Sequence, residues 1–335
     1  MQQNRQYWLR LARLTIVAIA AGLVMGLVGS WLLFSALYTH TLTHPGCGEM
    51  GGLPTDVGIE DALDVTYLSH DGLTLEAWYL APENGTVIVL LPGLGAAREG
   101  MLREAAILAR HGYGLLMTEL RSCAHPEGQT TLGYREAADL TEAVTWARNQ
   151  PDVAHVGVLG YSLGGVTAIL GAAQDERIEA VVAEGGFYDL AADITDRGEE
   201  ISLVRRLQYS PNPLFFRWWT GIDPRSISPI RVIGQISPRS VLLIYGEHEV
   251  ESGHANDQYK AANDPKTLWI VSDCGHGGYL DAAPEEWEQR VVSFLTKHSS
   301  NHTNIVQHKE VLQRQTIVTR SVSTQIHVTH PRRYS

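Results

Sequence analysis

Residues 160–164, Gly-Tyr-Ser-Leu-Gly, decide how the chain is interpreted. They follow the apolar run Val156 to Leu159, which has the length of a buried strand, and lead into the helical pattern Leu163 to Ala173. A serine on a sharp strand-to-helix turn exposes its hydroxyl, and glycines on both sides remove side chains that would collide there. An ordinary tight turn is the alternative, but the flanking elements favour Ser162 as a nucleophile.

Apolar runs of strand length alternate with helical patterns on both sides of this motif. The predicted buried strands cover residues 87–91, 115–120, 156–159, 180–183 and 241–245, and the predicted helices cover 99–110, 135–149 and 163–173. This succession indicates an α/β fold with a parallel sheet and right-handed crossovers. Residues 64–69 and 73–80 flank the turn dipeptide Asp71-Gly72, which predicts an antiparallel hairpin before the parallel strands.

A serine nucleophile needs a base, and the base needs an orienting group. His276 lies between two glycines, after the predicted strand Thr267 to Val271 and before a C-terminal helical segment. Glu249 follows another predicted strand and precedes this histidine, which gives the order serine, acid, histidine found with such motifs. Glu251 and Asp273 remain alternatives for the acid.

Two backbone amides are expected to bind the negative charge that develops on an attacked carbonyl oxygen. One belongs to Leu163, the residue after the nucleophile. The other belongs to Leu94, in the Leu-Pro-Gly-Leu-Gly stretch of residues 91–95 that follows a predicted strand. A plain Pro-Gly turn is the alternative for this stretch.

The N-terminal region predicts a membrane anchor. No charged residue occurs from Leu14 to Leu37, a run longer than the roughly 20 apolar residues that cross a bilayer. Arg5, Arg10 and Arg13 precede the run, so residues 1–13 are expected in the cytoplasm, residues 14–38 in the membrane and the remainder outside. Residues 39–58 suggest a stalk. A cleaved signal peptide is the alternative, but its apolar region is usually shorter.

Composition and cysteine content narrow the function classes. The formal net charge of −11, with no dense basic run in the globular part, argues against nucleic acid binding. The three cysteines show no metal-ligand spacing. In an exported domain we expect a disulfide between Cys47 and Cys123, which lie in loops near the first half of the sheet, and a free thiol at Cys274.

Two segments do not follow the α/β pattern. Residues 187–236 are rich in proline, arginine and aromatics and suggest a lid. A substrate pocket is predicted from Tyr161 and from the lid aromatics Phe215, Phe216, Trp218 and Trp219, which alternatively pack the lid or rest on a bilayer interface. Residues 299–335 form a polar tail for which we expect disorder. The catalytic domain is thus predicted over residues 59–298.

Together these motifs resemble the α/β-hydrolase superfamily, particularly its single-domain serine esterases and peptidase-like relatives. The resemblance covers about residues 64–298. Glu119-Leu120-Arg121 is similar to the Asp-Leu-Arg that follows the fourth strand in many members, and Gly133, Glu136 and Asp139 match the next helix. Glu119 departs from the usual Asp, Ser122 to His125 replaces a common loop sequence, and Glu249 stands where an Asp is usual.

The resemblance implies a mostly parallel sheet of about eight strands, a Ser-His-acid triad and hydrolysis through an acyl-enzyme, without a metal or organic cofactor. A small-molecule carboxylic ester is favoured over an amide as substrate. Aminopeptidase-like and acyltransferase activities remain alternatives on the same triad. A catalytically silent fold used for binding, and a metal-dependent hydrolase built on His248, Glu249 and His254, are alternatives of other classes.

Overall fold

The computed structural model of the protein describes residues 2–48, 51–196 and 202–297. The predicted polar tail at 299–335 lies outside the described residues. Eight strands form one sheet, in the order β1-β2-β4-β3-β5-β6-β7-β8. The strands are β1 (Leu63–Leu68), β2 (Thr74–Leu80), β3 (Thr86–Leu91), β4 (Gly114–Thr118), β5 (His155–Tyr161), β6 (Ala180–Glu184), β7 (Ser240–Gly246) and β8 (Lys266–Val271).

Strands β3 to β8 run parallel to one another, whereas β1 and β2 form the predicted antiparallel hairpin at one edge. The predicted fold class, a mostly parallel α/β sheet flanked by helices, is confirmed. The helices are α1 (Gln2–Thr43), α2 (Leu102–Arg110), α3 (Arg121–Ala124), α4 (Tyr134–Arg148), α5 (Leu163–Gln174), α6 (Leu190–Asp196), α7 (Leu203–Tyr209), α8 (Asn212–Thr220), α9 (Pro229–Val232), α10 (Ala255–Ala261), α11 (Tyr279–Ala282) and α12 (284–297).

The central strands are apolar throughout because both faces of the sheet are covered. All six residues of β3 are buried. Val87 and Val89 pack with Leu140 of α4 on one face, whereas Ile88 packs with Leu108 of α2 on the other. The alternation follows from the two-residue period of a strand and explains why the sequence shows continuous apolar runs here.

The predicted lid corresponds to the insertion between β6 and β7, which contains α6 to α9. A third apolar cluster lies beneath it, where Leu190 of α6 and Phe216 of α8 pack against Leu163 and Val166 of α5. Leu42, near the end of α1, packs against the same cluster. The insertion therefore covers the end of the sheet that carries Ser162.

Helix α1 is longer than the predicted spanning segment and continues to Thr43, into the segment predicted as a stalk. Its last turns carry buried hydroxyl residues whose polar groups are satisfied within the helix: Thr39 donates to the Ser35 carbonyl and Thr43 to the Thr39 carbonyl. The helix is long and apolar enough to cross a membrane, as a signal sequence also is. It is compatible with a membrane anchor.

A disulfide joins Cys47, just beyond α1, to Cys123 in α3 after β4. It closes a loop over a sequence separation of 76 residues and holds the N-terminal segment against the domain. Cys274 is a free, buried thiol.

We expect reduction of this disulfide to lower stability. Loss of the cross-link frees the unfolded chain, so Cys47→Ser with Cys123→Ser should reduce the free energy of unfolding by about 2–4 kcal/mol. Urea unfolding in detergent, with and without dithiothreitol, measures the effect, and the double variant should not respond to the reductant. Alkylation of both cysteines in the native, unreduced protein would contradict the pairing.

Candidate functional site

Ser162 lies on the turn between β5 and α5 in a strained conformation, with φ of 54° and ψ of −114°. Such a backbone is rarely adopted by residues with a side chain and is typical of functional turns. The Ser162 amide donates to the Glu184 carbonyl on the neighbouring strand β6, at 2.7 Å. The strand end and this hydrogen bond together fix the direction of the serine side chain.

Two glycines make the turn possible. A Cβ on Gly160 would lie 2.2 Å from the Gly164 carbonyl oxygen, and a Cβ on Gly164 would lie 2.0 Å from the Leu91 carbonyl oxygen. Both distances are far inside van der Waals contact. Only glycine therefore allows α5 to begin this close to β3 and β5.

The structure brings Ser162, His276 and Glu249 into one chain of hydrogen bonds. The His276 Nε2 lies 2.9 Å from the Ser162 Oγ, and the His276 Nδ1 lies 2.6 Å from the Glu249 Oε2. The histidine side chain is 46% exposed, whereas that of Glu249 is 8% exposed. A buried carboxylate thus contacts a half-exposed imidazole that reaches the serine hydroxyl, which is the geometry expected of a nucleophile, a base and its orienting acid.

Glu249 occupies a 3-10 turn, Glu247–Glu249, directly after β7. Its Oε1 accepts hydrogen bonds from the Gly246 amide at 2.9 Å and from the Tyr279 hydroxyl. Glu251 and Asp273, the alternatives for the acid, are exposed. Of the three, Glu249 is the carboxylate that contacts His276.

A second glycine contact joins the loops that carry the acid and the base. A Cβ on Gly246 would lie 2.4 Å from the carbonyl oxygens of both Cys274 and Gly275. The end of β7 and the loop after β8 therefore cross without a side chain between them. This crossing brings Glu249 within reach of His276, although 27 positions separate them in sequence.

Tyr279 is a site residue that the sequence analysis missed. Its hydroxyl donates to Glu249, and burial followed by the nearby Glu249 charge raises the pKa of this phenol well above its ordinary value. The phenol therefore stays protonated and holds the second carboxylate oxygen. The sequence feature that could have identified Tyr279 is its position three residues after His276, at the start of α11.

The two predicted amide donors flank the serine. Leu163 is the first residue of α5, and Leu94 lies in the loop after β3. A Cβ on Gly93 would come within 3.6 Å of the Ser162 Cβ, so this loop runs directly beside the nucleophile. Leu94 and Leu163 both line the cavity that contains Ser162.

A cavity of about 490 Å³ opens beside Ser162 and His276. Its lining is mainly apolar and comes from α1, the loops after β3 and β4, the start of α5, the insertion and the segment after β7. The contributing residues are Leu42, Leu94, Leu132, Leu163, Gly186, Phe187, Leu190, Asp193, Glu249, Ser252 and Gly253, besides Ser162 and His276. Such a volume and lining suit an acyl group.

The predicted pocket residues do not line this cavity. Tyr161 lines a separate cavity, and its ring lies beside His276 at 5.5 Å between centroids. Phe215 and Phe216 are buried, Trp218 is exposed, and Trp219 contacts His40 on α1. Phe215 and Phe216 thus face the core and Trp219 faces α1, because the N-terminal helix packs there, which the sequence pattern did not indicate.

The metal-dependent alternative finds no support in the described part of the chain, which contains no group of three or more His, Cys, Asp or Glu residues suited to a metal ion. His254 pairs with Asp257, and Glu249 is engaged by His276.

A largely buried ion-pair network joins the hairpin, α3 and α4. Arg121 bonds Asp139 of α4 at 2.8 Å and Asp71 of the hairpin at 2.8 Å. The Arg121 guanidinium holds the pKa of Asp71 well below its usual range, whereas burial raises the pKa of Asp139 to about 6. Two of the residues that carried the superfamily resemblance, Arg121 and Asp139, therefore help to join the hairpin, the β4 end and α4.

Comparisons with known proteins agree with this architecture. Residues 56–206 match the family model of X-Pro dipeptidyl-peptidase (S15 family). A polyketide transferase of Stachybotrys chlorohalonatus is 29% identical over 287 residues, which cover 70% of this chain and 96% of that protein. A thiohydrolase of Aspergillus aculeatus is 32% identical over 168 residues, covering 45% of this chain and 53% of that protein.

Solved structures with the same fold include an esterase of Pyrococcus furiosus, with a TM-score of 0.62 and 24% identity over 77% of this chain and 98% of the esterase. An α/β hydrolase of a Penicillium species has a TM-score of 0.57 and 22% identity, over 71% of this chain and 98% of that one. The chain has the α/β-hydrolase fold. Within this fold, the sequence relatives support an enzyme of the hydrolase type.

We expect Glu249→Gln to reduce turnover by about 10³–10⁴-fold, because an amide at this position no longer holds the imidazole in the tautomer that accepts the serine proton. The fold should remain intact, since the amide oxygen can still accept from Gly246. Glu251→Gln, an exposed neighbour, is the matched control and should retain normal turnover. Steady-state kinetics on a chromogenic ester measure both, and the reverse ranking would transfer the acid role to Glu251.

Glu184, whose carbonyl binds the Ser162 amide, has a buried side chain that accepts from the Trp287 indole at 2.5 Å. Burial, with a smaller effect of the nearby Glu104 charge, raises the pKa of Glu184 to about 8. The folded protein therefore keeps a proton that the unfolded chain releases. This contribution to stability is complete below the ordinary carboxyl pKa and is lost as the pH rises towards 8.

Glu184→Gln should accordingly weaken the pH dependence of stability. Between the ordinary carboxyl pKa and about pH 8, the free energy of unfolding of the wild type should fall by about 1 kcal/mol per pH unit relative to that of the variant. Urea unfolding in detergent at several pH values measures the difference. The exposed Glu285→Gln serves as the control, and parallel pH profiles of wild type and Glu184→Gln would contradict a neutral Glu184.

Proposed function

We propose that the protein is a serine hydrolase that cleaves a carboxylic ester of a small, largely apolar acyl group. The observation that carries this proposal is the hydrogen-bonded series Ser162, His276 and Glu249 at the edge of an apolar cavity of about 490 Å³. A silent binding fold has no need for a buried carboxylate that contacts an exposed histidine beside a strained serine. The intact series therefore favours catalysis.

The proposed reaction has two balanced steps. The Ser162 Oγ attacks the ester carbonyl carbon while its proton passes to the His276 Nε2. The carbon–oxygen bond to the leaving alcohol then breaks, and the histidine returns the proton to that alcohol. Water attacks the acyl-enzyme in the same manner, so its proton passes through His276 to the Ser162 oxygen and the carboxylic acid leaves.

Stabilisation of the negative oxygen is assigned to the amides of Leu94 and Leu163, which flank the serine. Backbone donors held by a glycine-rich turn and by the start of a helix need no rearrangement when the charge develops. Glu249 orients His276 and stabilises its cationic form. Tyr279 and Gly246 position that carboxylate.

Acyl transfer is the second candidate function, supported by the polyketide transferase that matches 70% of this chain. A thioester donor with an alcohol acceptor would use the same steps, with the acceptor replacing water. His276 is 46% exposed, so an acceptor larger than water can reach it. Hydrolysis and transfer are separated by the products formed in the presence of added alcohol.

For the whole chain we propose that α1 anchors the protein and that the catalytic domain lies outside the cytoplasm. The apolar run from Leu14 to Leu37 and the arginines before it support this orientation. The disulfide between Cys47 and Cys123 is consistent with an oxidising compartment.

We expect a fluorophosphonate probe to label wild-type protein and not Ser162→Ala, because among the serines that the structure describes Ser162 is the one with a histidine nitrogen 2.9 Å from its hydroxyl. The substitution should leave the free energy of unfolding within about 1 kcal/mol, since the hydroxyl adds little to packing. Labelling is read by mass spectrometry, and turnover on esters of increasing acyl length tests the apolar cavity. Folded wild-type protein that resists the probe would instead support the silent-fold alternative.

A further inference from the structure

The insertion exposes an apolar surface on α7 and α8. Outside α1, its large apolar side chains are among the most exposed of the described residues. We call this surface the lid face; it consists of Leu203 at 71%, Val204 at 74%, Leu207 at 56%, Leu214 at 67% and Trp218 at 71% exposure. Within each helix these positions are one turn apart or adjacent, so each helix presents an apolar stripe to its surroundings. A contiguous exposed stripe of this kind marks an interaction surface.

The two helices that carry the lid face, α7 and α8, contact α1. The Trp31 Nε1 donates to the Gln208 carbonyl at 2.9 Å, and the Ser35 Oγ donates to the Asn212 Oδ1 at 2.8 Å. The Tyr209 ring lies 5.6 Å from that of Tyr38. These contacts fix the position of α7 beside residues 31–38 of α1.

Residues 31–38 lie at the C-terminal end of the apolar run of α1. A bilayer core of about 30 Å takes roughly 20 helical residues, so a crossing that begins at Leu14 ends near Phe34. Trp31, Phe34 and Tyr38 supply the aromatic side chains typical of a membrane interface. Helix α7 is consequently held at the level of the outer headgroups.

The charge of this segment suits lipid phosphates. Residues 202–220 contain Arg205, Arg206 and Arg217 and no Asp or Glu, in a chain whose formal net charge is −11. None of the three arginines takes part in an ion pair between described residues. Arginine binds phosphate well, and basic residues among apolar ones characterise helices that lie in a bilayer interface.

We propose that the lid face rests on the outer leaflet of the membrane that α1 spans, with its apolar side chains at the acyl-chain boundary and its arginines among the phosphates. The partner is a phospholipid bilayer. Leu42, which lines the cavity, lies eight residues beyond Phe34 on α1, about 12 Å along the helix. The site is thereby held close above the bilayer, where it meets amphiphilic substrates.

This inference rests on the proposed membrane anchoring and not on catalysis, so its test uses full-length Ser162→Ala protein. Single cysteines at Leu23, Val204 and Leu68 carry an environment-sensitive fluorophore, one position in each of three proteins. The native cysteines do not compete, because two are joined in a disulfide and Cys274 is buried. Leu68, an exposed apolar residue of β1, is the matched control for Val204.

The proteins are placed in nanodiscs of phosphatidylcholine and phosphatidylglycerol that contain spin-labelled lipids. We expect strong quenching at Leu23 and at Val204, and at least several-fold weaker quenching at Leu68. Quenching at Leu23 without quenching at Val204 would overturn the lid-face proposal while sparing the anchor. Absence of quenching at Leu23 would overturn both. A Val204 label shielded from water but not quenched by lipid would mean that a second protein covers the face, which also overturns the proposal.

The contribution of the arginines to membrane docking is tested separately. Arg205→Glu with Arg206→Glu should reduce quenching at Val204 several-fold in these nanodiscs, because the acidic pair is repelled by anionic headgroups. Arg205→Lys with Arg206→Lys keeps the charge and should preserve most of the quenching. Equal quenching in both double variants would contradict a role for the arginines in docking.

Discussion

The close approach of Gly164 to the Leu91 carbonyl determines the arrangement of the site. No side chain fits between them, so α5 begins immediately beside β3 and the turn before it must bend sharply. The strained backbone of Ser162 is the consequence, and the extensive packing of β5 and α5 in the core offsets its energetic cost. Because Leu163 begins the helix and Leu94 follows β3, the same contact sets the positions of both amides proposed as donors.

The acid and base depend on a second contact of the same type, where Gly246 meets the carbonyls of Cys274 and Gly275. The two loops leave the parallel strands β7 and β8 at the same edge of the sheet, as parallel topology requires. The Glu249 side chain is held at both carboxylate oxygens, which fits the orienting role proposed for it although an aspartate is usual there. The amide of Gly246 and the hydroxyl of Tyr279 bind one oxygen, which leaves the other for His276.

The N-terminal helix and the catalytic domain are physically connected. Leu42 of α1 lines the cavity, Ser35 bonds the insertion, and Cys47 is covalently joined to Cys123. A flexible stalk would leave the site at variable distances from the membrane. The observed contacts instead fix the domain against α1, so the proposed anchor and the cavity beside Ser162 belong to one structural unit.

The sequence by itself determined the fold class, the position of Ser162 and the candidates for base and acid, because these depend on local patterns: continuous apolar strands, a glycine-bracketed serine and residues at strand ends. The tertiary structure determined which residues of distant segments contact one another. It placed Glu249, and not Glu251 or Asp273, against His276 and placed Tyr279 against Glu249. It lined the cavity beside Ser162 with Leu42, Phe187 and Leu190 instead of the α8 aromatics. Those contacts join residues far apart in the chain, and hydrophobic periodicity reports which face of an element is buried, not which partner covers it.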